Sequence, residues 1–129
     1  MQKTLWAGRI VSAVAVLFLV LDGVTHLAKP APVAEAFQRL AFPLSLSVEL
    51  GIIELVCVVV YVIPRTSILG AILLTGYLGG AVATHLRVLD PLFDTIFPII
   101  IGALVWGGIC LIDPRLRALV PFKSTSNKF

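Results

Sequence analysis

Residues 10–21 read IVSAVAVLFLVL, a run without a charged side chain that decides the fold class. Apolar residues continue on both sides of this run, so the stretch reaches the length of about 20 residues that a helix needs to cross a bilayer. Three more stretches of similar length follow. The sequence therefore predicts an all-α integral membrane protein with four transmembrane helices, over about residues 7–27, 46–63, 67–86 and 92–112.

The composition excludes an ordinary soluble domain. Hydrophobic residues make up 59% of the 129 residues and charged residues 13%, whereas soluble domains are about half apolar and about a quarter charged. So small a soluble protein could not bury this much apolar surface in one core. The net charge of +3 does not indicate a nucleic-acid partner, because the basic residues lie beside apolar runs and form no basic stripe.

The connections predict how the helices are arranged. The turns at residues 64–66 and 87–91 are short, so neighbouring helices should be antiparallel, in an up-down bundle. Residues 32–41 carry apolar side chains at helical spacing, which predicts a short amphipathic helix in the membrane interface between the first two spans. We expect one domain over residues 1–129, with a tail at residues 113–129, and no cleavage after the first span, because no small-x-small site follows Leu21.

Lysine and arginine are unevenly distributed over the two sides that these spans define. Three lie on the side away from the termini. Seven lie on the side of the termini: Lys3, Arg9, Arg65, Arg115, Arg117, Lys123 and Lys128. This excess predicts that both termini are cytoplasmic, in a bacterial inner membrane. Both histidines and six of the seven acidic residues lie toward the opposite, outer side.

Glu54 is the acidic residue that lies deepest in the predicted spans. It is about nine residues, or roughly 14 Å, from the turn at residues 64–66, which lies on the side of the termini. A lone carboxylate at that depth costs at least about 2.5 kcal/mol, so Glu54 should face the bundle interior and be protonated, paired or hydrated. On the first helix, Asp22 and His26 are separated by four residues and share one face.

These polar residues predict a pocket in the outer half of the bundle. The candidate ligand-binding residues are Glu54, Asp22, His26, Glu49, His85 and Arg87. Glu54, Asp22 and His85 are also the candidate catalytic residues, since a carboxyl group in an apolar pocket can act as a general acid or base.

Simpler interpretations remain open for several of these groups. Glu49, Asp90 and Asp94 can be explained by their nearness to water and headgroups. Asp22 with His26 can be a structural contact between helices. Carboxylates and histidines are ligands that suit zinc or iron, but the sequence has no compact motif such as HExxH, and we predict no metal site.

A stripe of small residues marks the third span. Gly76, Gly80 and Thr84 recur at intervals of four residues, and such a stripe lets another helix approach closely. We therefore expect it to mark where the third helix docks, or to provide a contact with a second copy or another membrane protein.

Three segments of the sequence carry a family resemblance. One is the second span with its acid at Glu54, which ends at Pro64-Arg65. The others are LGAILLTGYLGGAVATHLRVLDPLF at residues 69–93 and WGGICLIDPRLRALVP at residues 106–121. Together they resemble the DoxX-like family of small four-helix bacterial membrane proteins, and the resemblance covers nearly the whole chain. One departure is Leu89, where the family pattern leads us to expect a small residue, often glycine.

The resemblance implies a fold more than a function. The family takes its name from a small subunit of a thiosulfate- and quinone-linked membrane oxidoreductase, and other relatives act as membrane partners of redox-stress proteins. It offers no agreed set of catalytic residues to transfer to this chain.

The functional expectation is binding of a lipophilic small molecule, quinone-like or lipid-like, with a quinone as the candidate cofactor and a redox system as the candidate assembly. One alternative is a membrane-embedded acid/base enzyme of the isomerase, hydrolase or cyclase type. Another is a structural or assembly partner without a ligand, docking through Gly76 and Gly80. The expected partners are the lipid bilayer and the lipophilic small molecule. If the protein assembles through Gly76 and Gly80, the further partner is another membrane protein or a second copy.

Overall fold

The computed structural model describes residues 1–123, and these residues form helices and turns without a strand. The helices are α1 (Gln2–Ala28), α2 (Ala31–Arg39), α3 (Leu46–Val62), α4 (Ser67–Arg87), α5 (Leu92–Ile112) and α6 (Pro114–Arg117). A 3-10 turn at Pro64–Thr66 joins α3 to α4. The all-α fold class is thereby confirmed. Of the predicted tail, residues 124–129, including Lys128, lie outside the described residues.

The four long helices pack in a closed arrangement. α1 contacts α3 and α5, and α4 contacts the same two helices. Ala15, Leu74 and Val105 are among the fully buried side chains between them. Large apolar side chains also cover the outside: Leu17, Ile53 and Ile72 are each more than half exposed. Apolar side chains on both surfaces of a helix are what a lipid environment produces.

Among residues 1–123, three helical segments are long and apolar enough to cross a membrane. They are Gln2–Ala28, Pro64–Arg87 and Leu92–Ile112. The second predicted span corresponds to α3, which has 17 residues and is shorter than the other three. By length and composition, the chain is therefore a helical protein of the kind that lies in a membrane.

Glycines bring the helices together, but not the glycines that the sequence suggested. A β-carbon placed at Gly51 would lie 2.8 Å from the carbonyl oxygen of Gly23, so the backbones of α1 and α3 touch there. A β-carbon at Gly76 or Gly80 would meet nothing within 4 Å. The expectation that this stripe marks where the third predicted span, α4, docks on another helix is therefore wrong within residues 1–123. Contact with a second copy stays a prediction.

The amphipathic helix predicted at residues 32–41 is present as α2. It begins after Pro30, whose ring suits the start of a helix. Lys29 ends α1 in the left-handed conformation, with φ of 52°, and turns the chain toward α2. The side chain of Phe37 is buried, so α2 packs on the end of the bundle with its apolar face.

The turn between α4 and α5 contains Leu89, where the family resemblance led us to expect a small residue. Leu89 has φ of 54°, in the left-handed region that favours glycine. Its side chain is exposed, so the cost of this conformation comes from the residue itself, whose β-carbon lies close to the following carbonyl oxygen. The turn places Asp90 beneath α2, where it makes the contacts described below.

Candidate functional site

A cavity of about 650 Å³ lies at the α2 end of the bundle. It is lined by the second half of α1, the first half of α3, the second half of α4 and the first half of α5, with α2 forming a further wall. Its wall is largely apolar, with Phe18, Leu19, Phe97 and Ile101 among the lining residues. Alternating helix directions explain why these halves meet at one end of the molecule.

Glu54 lies at the inner part of this cavity. Its side chain is 1% exposed, as its depth in the sequence led us to expect. The hydroxyl of Tyr77 on α4 donates a hydrogen bond of 3.1 Å to Glu54 Oε2. Tyr77 was missed by the sequence analysis. The available signal was its position eight residues before His85, which places both on one face of α4.

Asp22 and His26 join Glu54 across the contact between α1 and α3. One ligand atom from each of the three residues lies within 4.8 Å of the others, and His26 Nδ1 is 4.0 Å from Glu54 Oε2. The approach depends on Gly23 and Gly51, which lie one residue after Asp22 and three before Glu54. The predicted grouping of these three residues is therefore present.

The orientation of His26 follows from its hydrogen bond. Its Nδ1 is 2.8 Å from the backbone carbonyl oxygen of Asp22, and it is 3.5 Å from the Asp22 carboxylate. A carbonyl oxygen only accepts, so Nδ1 carries the donated proton. Ser47 in turn donates to the backbone carbonyl of His26 at 2.6 Å. This bond from α3 fastens the backbone of α1 at His26 and so fixes the position of the imidazole.

A second polar group joins α2 to the turn between α4 and α5. Asp90 accepts from Arg39 Nε at 2.6 Å and lies 2.6 Å from His85 Nδ1. The Asp90 side chain is 2% exposed and paired, so the interpretation that nearness to water and headgroups explains this acid is wrong. We call Arg39, His85 and Asp90 the α2 latch. The sequence analysis did not connect Arg39 with Asp90, because they are 51 residues apart.

Two of the predicted site residues lie outside the cavity lining, and a third lines the cavity but is bonded to Asp90. His85 lines the cavity, but its Nδ1 is bonded to Asp90 in the α2 latch. Arg87 is not part of the cavity lining and instead donates to the backbone carbonyl of Leu40. Glu49 is exposed and also lies outside the cavity lining. The inclusion of Arg87 and Glu49 among ligand-binding residues is therefore not supported by the geometry.

The metal prediction is not settled by this arrangement. Asp22, His26 and Glu54 are groups of the type that can ligate a metal, and they are close enough to share one ion. His26 Nδ1 is engaged with a carbonyl oxygen, which leaves Nε2 as the free ring nitrogen for any ligand. The prediction of no metal site stays a prediction.

The α2 latch should depend on pH. The hydrogen bond from Arg39, and then that from His85, hold the pKa of the Asp90 carboxyl below its usual value of 3.8. Because the folded-state pKa is lowered, the contact is fully present above that usual value and is lost as the pH falls through the lowered pKa. We expect the amide hydrogens of α2 to be less protected in Asp90→Asn than in wild type at neutral pH, as measured by hydrogen–deuterium exchange mass spectrometry. In wild type the same protection should fall at strongly acidic pH, once the observed rates are divided by the intrinsic exchange rates at each pH.

The matched control for this prediction is Asp113→Asn. Asp113 pairs with Arg115 at the opposite end of α5, so its loss should leave exchange in α2 unchanged. Equal exchange of α2 in wild type and Asp90→Asn at neutral pH would show that the α2 latch does not hold this helix.

The comparison with known proteins identifies one family. The model of the DoxX-like family matches residues 10–108, a range that contains the lining residues of the cavity. No curated protein and no solved structure matches the chain. Because the family match covers most of the sequence, the chain belongs to the DoxX-like family.

Proposed function

We propose that this protein spans the bacterial inner membrane four times, with both termini in the cytoplasm, and binds a lipophilic small molecule in the cavity at its outer end. The ligand is quinone-like or lipid-like. The family resemblance supports a quinone as the first candidate and a redox system as the assembly that contains the protein.

The observation that carries this proposal is the cavity itself. Its volume of about 650 Å³ lies within the range of roughly 300–1,000 Å³ that is typical of small-molecule sites. The wall is mainly apolar, and a few polar groups converge at Glu54. This combination suits a molecule with an apolar body and one polar head.

Four spans are supported by α3 as well as by the three longer helices. At about 1.5 Å per residue, 17 residues extend for about 26 Å, close to the hydrocarbon thickness of a bilayer. Ile52, Val56 and Val59 are each more than half exposed on α3, so this helix too presents apolar side chains to its surroundings. Reporter fusions after Arg65 and after Leu89 test the topology, and the same location for both would exclude it.

The binding proposal is tested by extracting the protein purified in a neutral detergent. We expect mass spectrometry of the organic extract to show a lipophilic molecule enriched over an unrelated membrane protein prepared in the same way. Added quinone should compete for the same site. If no lipophilic molecule co-purifies and added quinone does not bind, the proposal is ruled out.

The second candidate is an acid/base enzyme acting on a lipophilic substrate. It is favoured by one observation, the carboxyl groups of Asp22 and Glu54 beside His26 in an apolar cavity. Neighbouring carboxyl groups can divide the roles of acid and base. Incubating the extracted molecule with fresh wild-type protein and with Glu54→Gln separates the two candidates. Conversion by wild type alone favours the enzyme, and recovery of the unchanged molecule from both favours binding.

A further inference from the structure

The inner part of the cavity has more hydrogen-bond acceptors than donors. Asp22 and Glu54 contribute four carboxyl oxygens, while Tyr77 donates one hydrogen bond to Glu54. The Nδ1–H of His26 is directed to the carbonyl of Asp22. A carboxylate can accept more than one hydrogen bond at each oxygen, so a bound head group with N–H or O–H donors would find several free acceptor positions.

The same region is short of positive charge. Within residues 1–123, the ion pairs of Asp22 and of Glu54 are with His26 alone, at 3.5 Å and 4.0 Å. A carboxyl oxygen of Asp22 lies within 4.8 Å of one of Glu54, and Glu54 is 1% exposed while the Asp22 side chain is 56% exposed. Burial and the neighbouring carboxyl group together make ionisation of Glu54 costly. A cation brought by a ligand would offset this repulsion and the cost of burying Glu54.

Arg39 and His85, which also line the cavity, already have acidic partners. Arg39 pairs with Asp90 and lies 3.9 Å from Asp94, and His85 is bonded to Asp90. An anionic head group would therefore meet the carboxyl groups of Asp22 and Glu54 on one side and cations already paired with acids on the other. The carboxyl groups disfavour an anion and favour a cation, and the paired cations attract an anion only weakly.

We propose that the cavity binds a lipophilic amine, with the protonated nitrogen donating hydrogen bonds to Glu54 and Asp22 and the apolar chain lying along the aromatic wall. This inference rests on the proposed binding of a lipophilic molecule. It follows the lipid-like option and names an amine, in place of a quinone, as the head group. Phe18 and Phe97 pack edge to face, with ring centroids 5.8 Å apart, and form that wall together with Leu19 and Ile101.

The test measures binding of dodecylamine to the full-length protein in discs of neutral lipid at neutral pH. Tritiated dodecylamine is the probe, empty discs give the background, and unlabelled dodecanol and dodecanoate are competitors of equal chain length. We expect the amine to bind about ten-fold more tightly than the alcohol, a difference of about 1.4 kcal/mol, since hydrogen bonds between charged groups are stronger than those of a neutral hydroxyl. Dodecanoate should compete least.

Variants locate the binding. Glu54→Gln should weaken amine binding by about ten-fold and leave dodecanol binding nearly unchanged, because it removes the charge and keeps the size. Glu35→Gln makes the same change at an exposed position of α2 that is not part of the cavity lining, and it should bind the amine like wild type. Asp22→Asn provides a second variant if Glu54→Gln does not fold, and it should weaken amine binding in the same direction.

The outcomes separate this inference from the proposed function. Equal binding of amine, alcohol and carboxylate, displaced by added quinone, would overturn the amine preference and leave the cavity as a site for lipophilic molecules. An unchanged affinity for the amine in both Glu54→Gln and Asp22→Asn would overturn it as well. If none of the three probes binds more than it does to empty discs, the result counts against the amine inference and against the proposed binding function.

Discussion

Gly80→Leu is expected to fold and to lose the bound lipophilic molecule. Gly80 lines the cavity, and a β-carbon there meets nothing within 4 Å. A leucine side chain can therefore enter the cavity without displacing a neighbour. Leucine also favours a helix over glycine by close to 1 kcal/mol, so the substitution should not lower the stability of α4.

Gly79→Leu is the matched control, because it introduces the same side chain at the adjacent position of α4, where it projects in a different direction. A β-carbon at Gly79 also meets nothing within 4 Å, but Gly79 is not part of the cavity lining. Mass spectrometry of extracts should show the molecule in wild type and Gly79→Leu, and at most about a tenth of it in Gly80→Leu, a loss of about 1.4 kcal/mol or more. Equal amounts in both variants would contradict the assignment of the cavity as the binding site.

The same variants address the assembly alternative. The small-residue stripe of Gly76 and Gly80 is open in the structure, so it remains available to a second copy or another membrane protein. If Gly80→Leu breaks a complex that wild type forms, as measured by light scattering after size exclusion, and Glu54→Gln does not, then the stripe serves in docking. If the oligomeric state is unchanged and the ligand is lost, the stripe serves the cavity.

Gly51→Leu is expected to destabilise the protein strongly and to separate the polar groups of the site. A β-carbon at this position would lie 2.8 Å from the carbonyl oxygen of Gly23 and 3.0 Å from the β-carbon of His26. The first of these atoms belongs to a helix backbone, which cannot move aside alone. Overpacking of this kind costs about 1–3 kcal/mol and occasionally more, so the melting temperature should fall by several degrees.

The control for this change is Gly107→Leu on α5, where a β-carbon meets nothing within 4 Å. It should melt at or above the wild-type temperature, as measured by circular dichroism in the same detergent. Gly51→Leu should also lose the lipophilic molecule, because Asp22 and His26 on α1 would move away from Glu54 on α3. A wild-type melting temperature for Gly51→Leu would show that this contact does not set the approach of α1 to α3.

The helices could be predicted closely because their signal is local. Long apolar runs and the prolines that interrupt them placed the four long helices within a few residues at most ends, apart from the start of the first. The separation of four residues between Asp22 and His26 likewise followed from helix geometry. The burial of Glu54 was also predictable, since a carboxylate deep in an apolar run must face the protein interior.

Other parts of the site could not be predicted because they depend on contacts between distant segments. Arg39 and Asp90 meet only after α2 folds onto the turn between α4 and α5. Tyr77 reaches Glu54 from another helix. The glycines show the limit most clearly, since a stripe of small residues looks the same in sequence whether it packs against a helix or borders a cavity.

The sequence by itself determined an all-helical membrane protein with its acidic and histidine side chains gathered toward one end, because apolar length and charge position are properties of each segment alone. The tertiary structure decided which of those side chains share a cavity and which fasten α2. It did so through the close approach of α1 and α3 at Gly23 and Gly51, a contact whose geometry depends on two helices at once. That approach brings the carboxyl groups of Asp22 and Glu54 together, and the chemistry proposed for this protein depends on it.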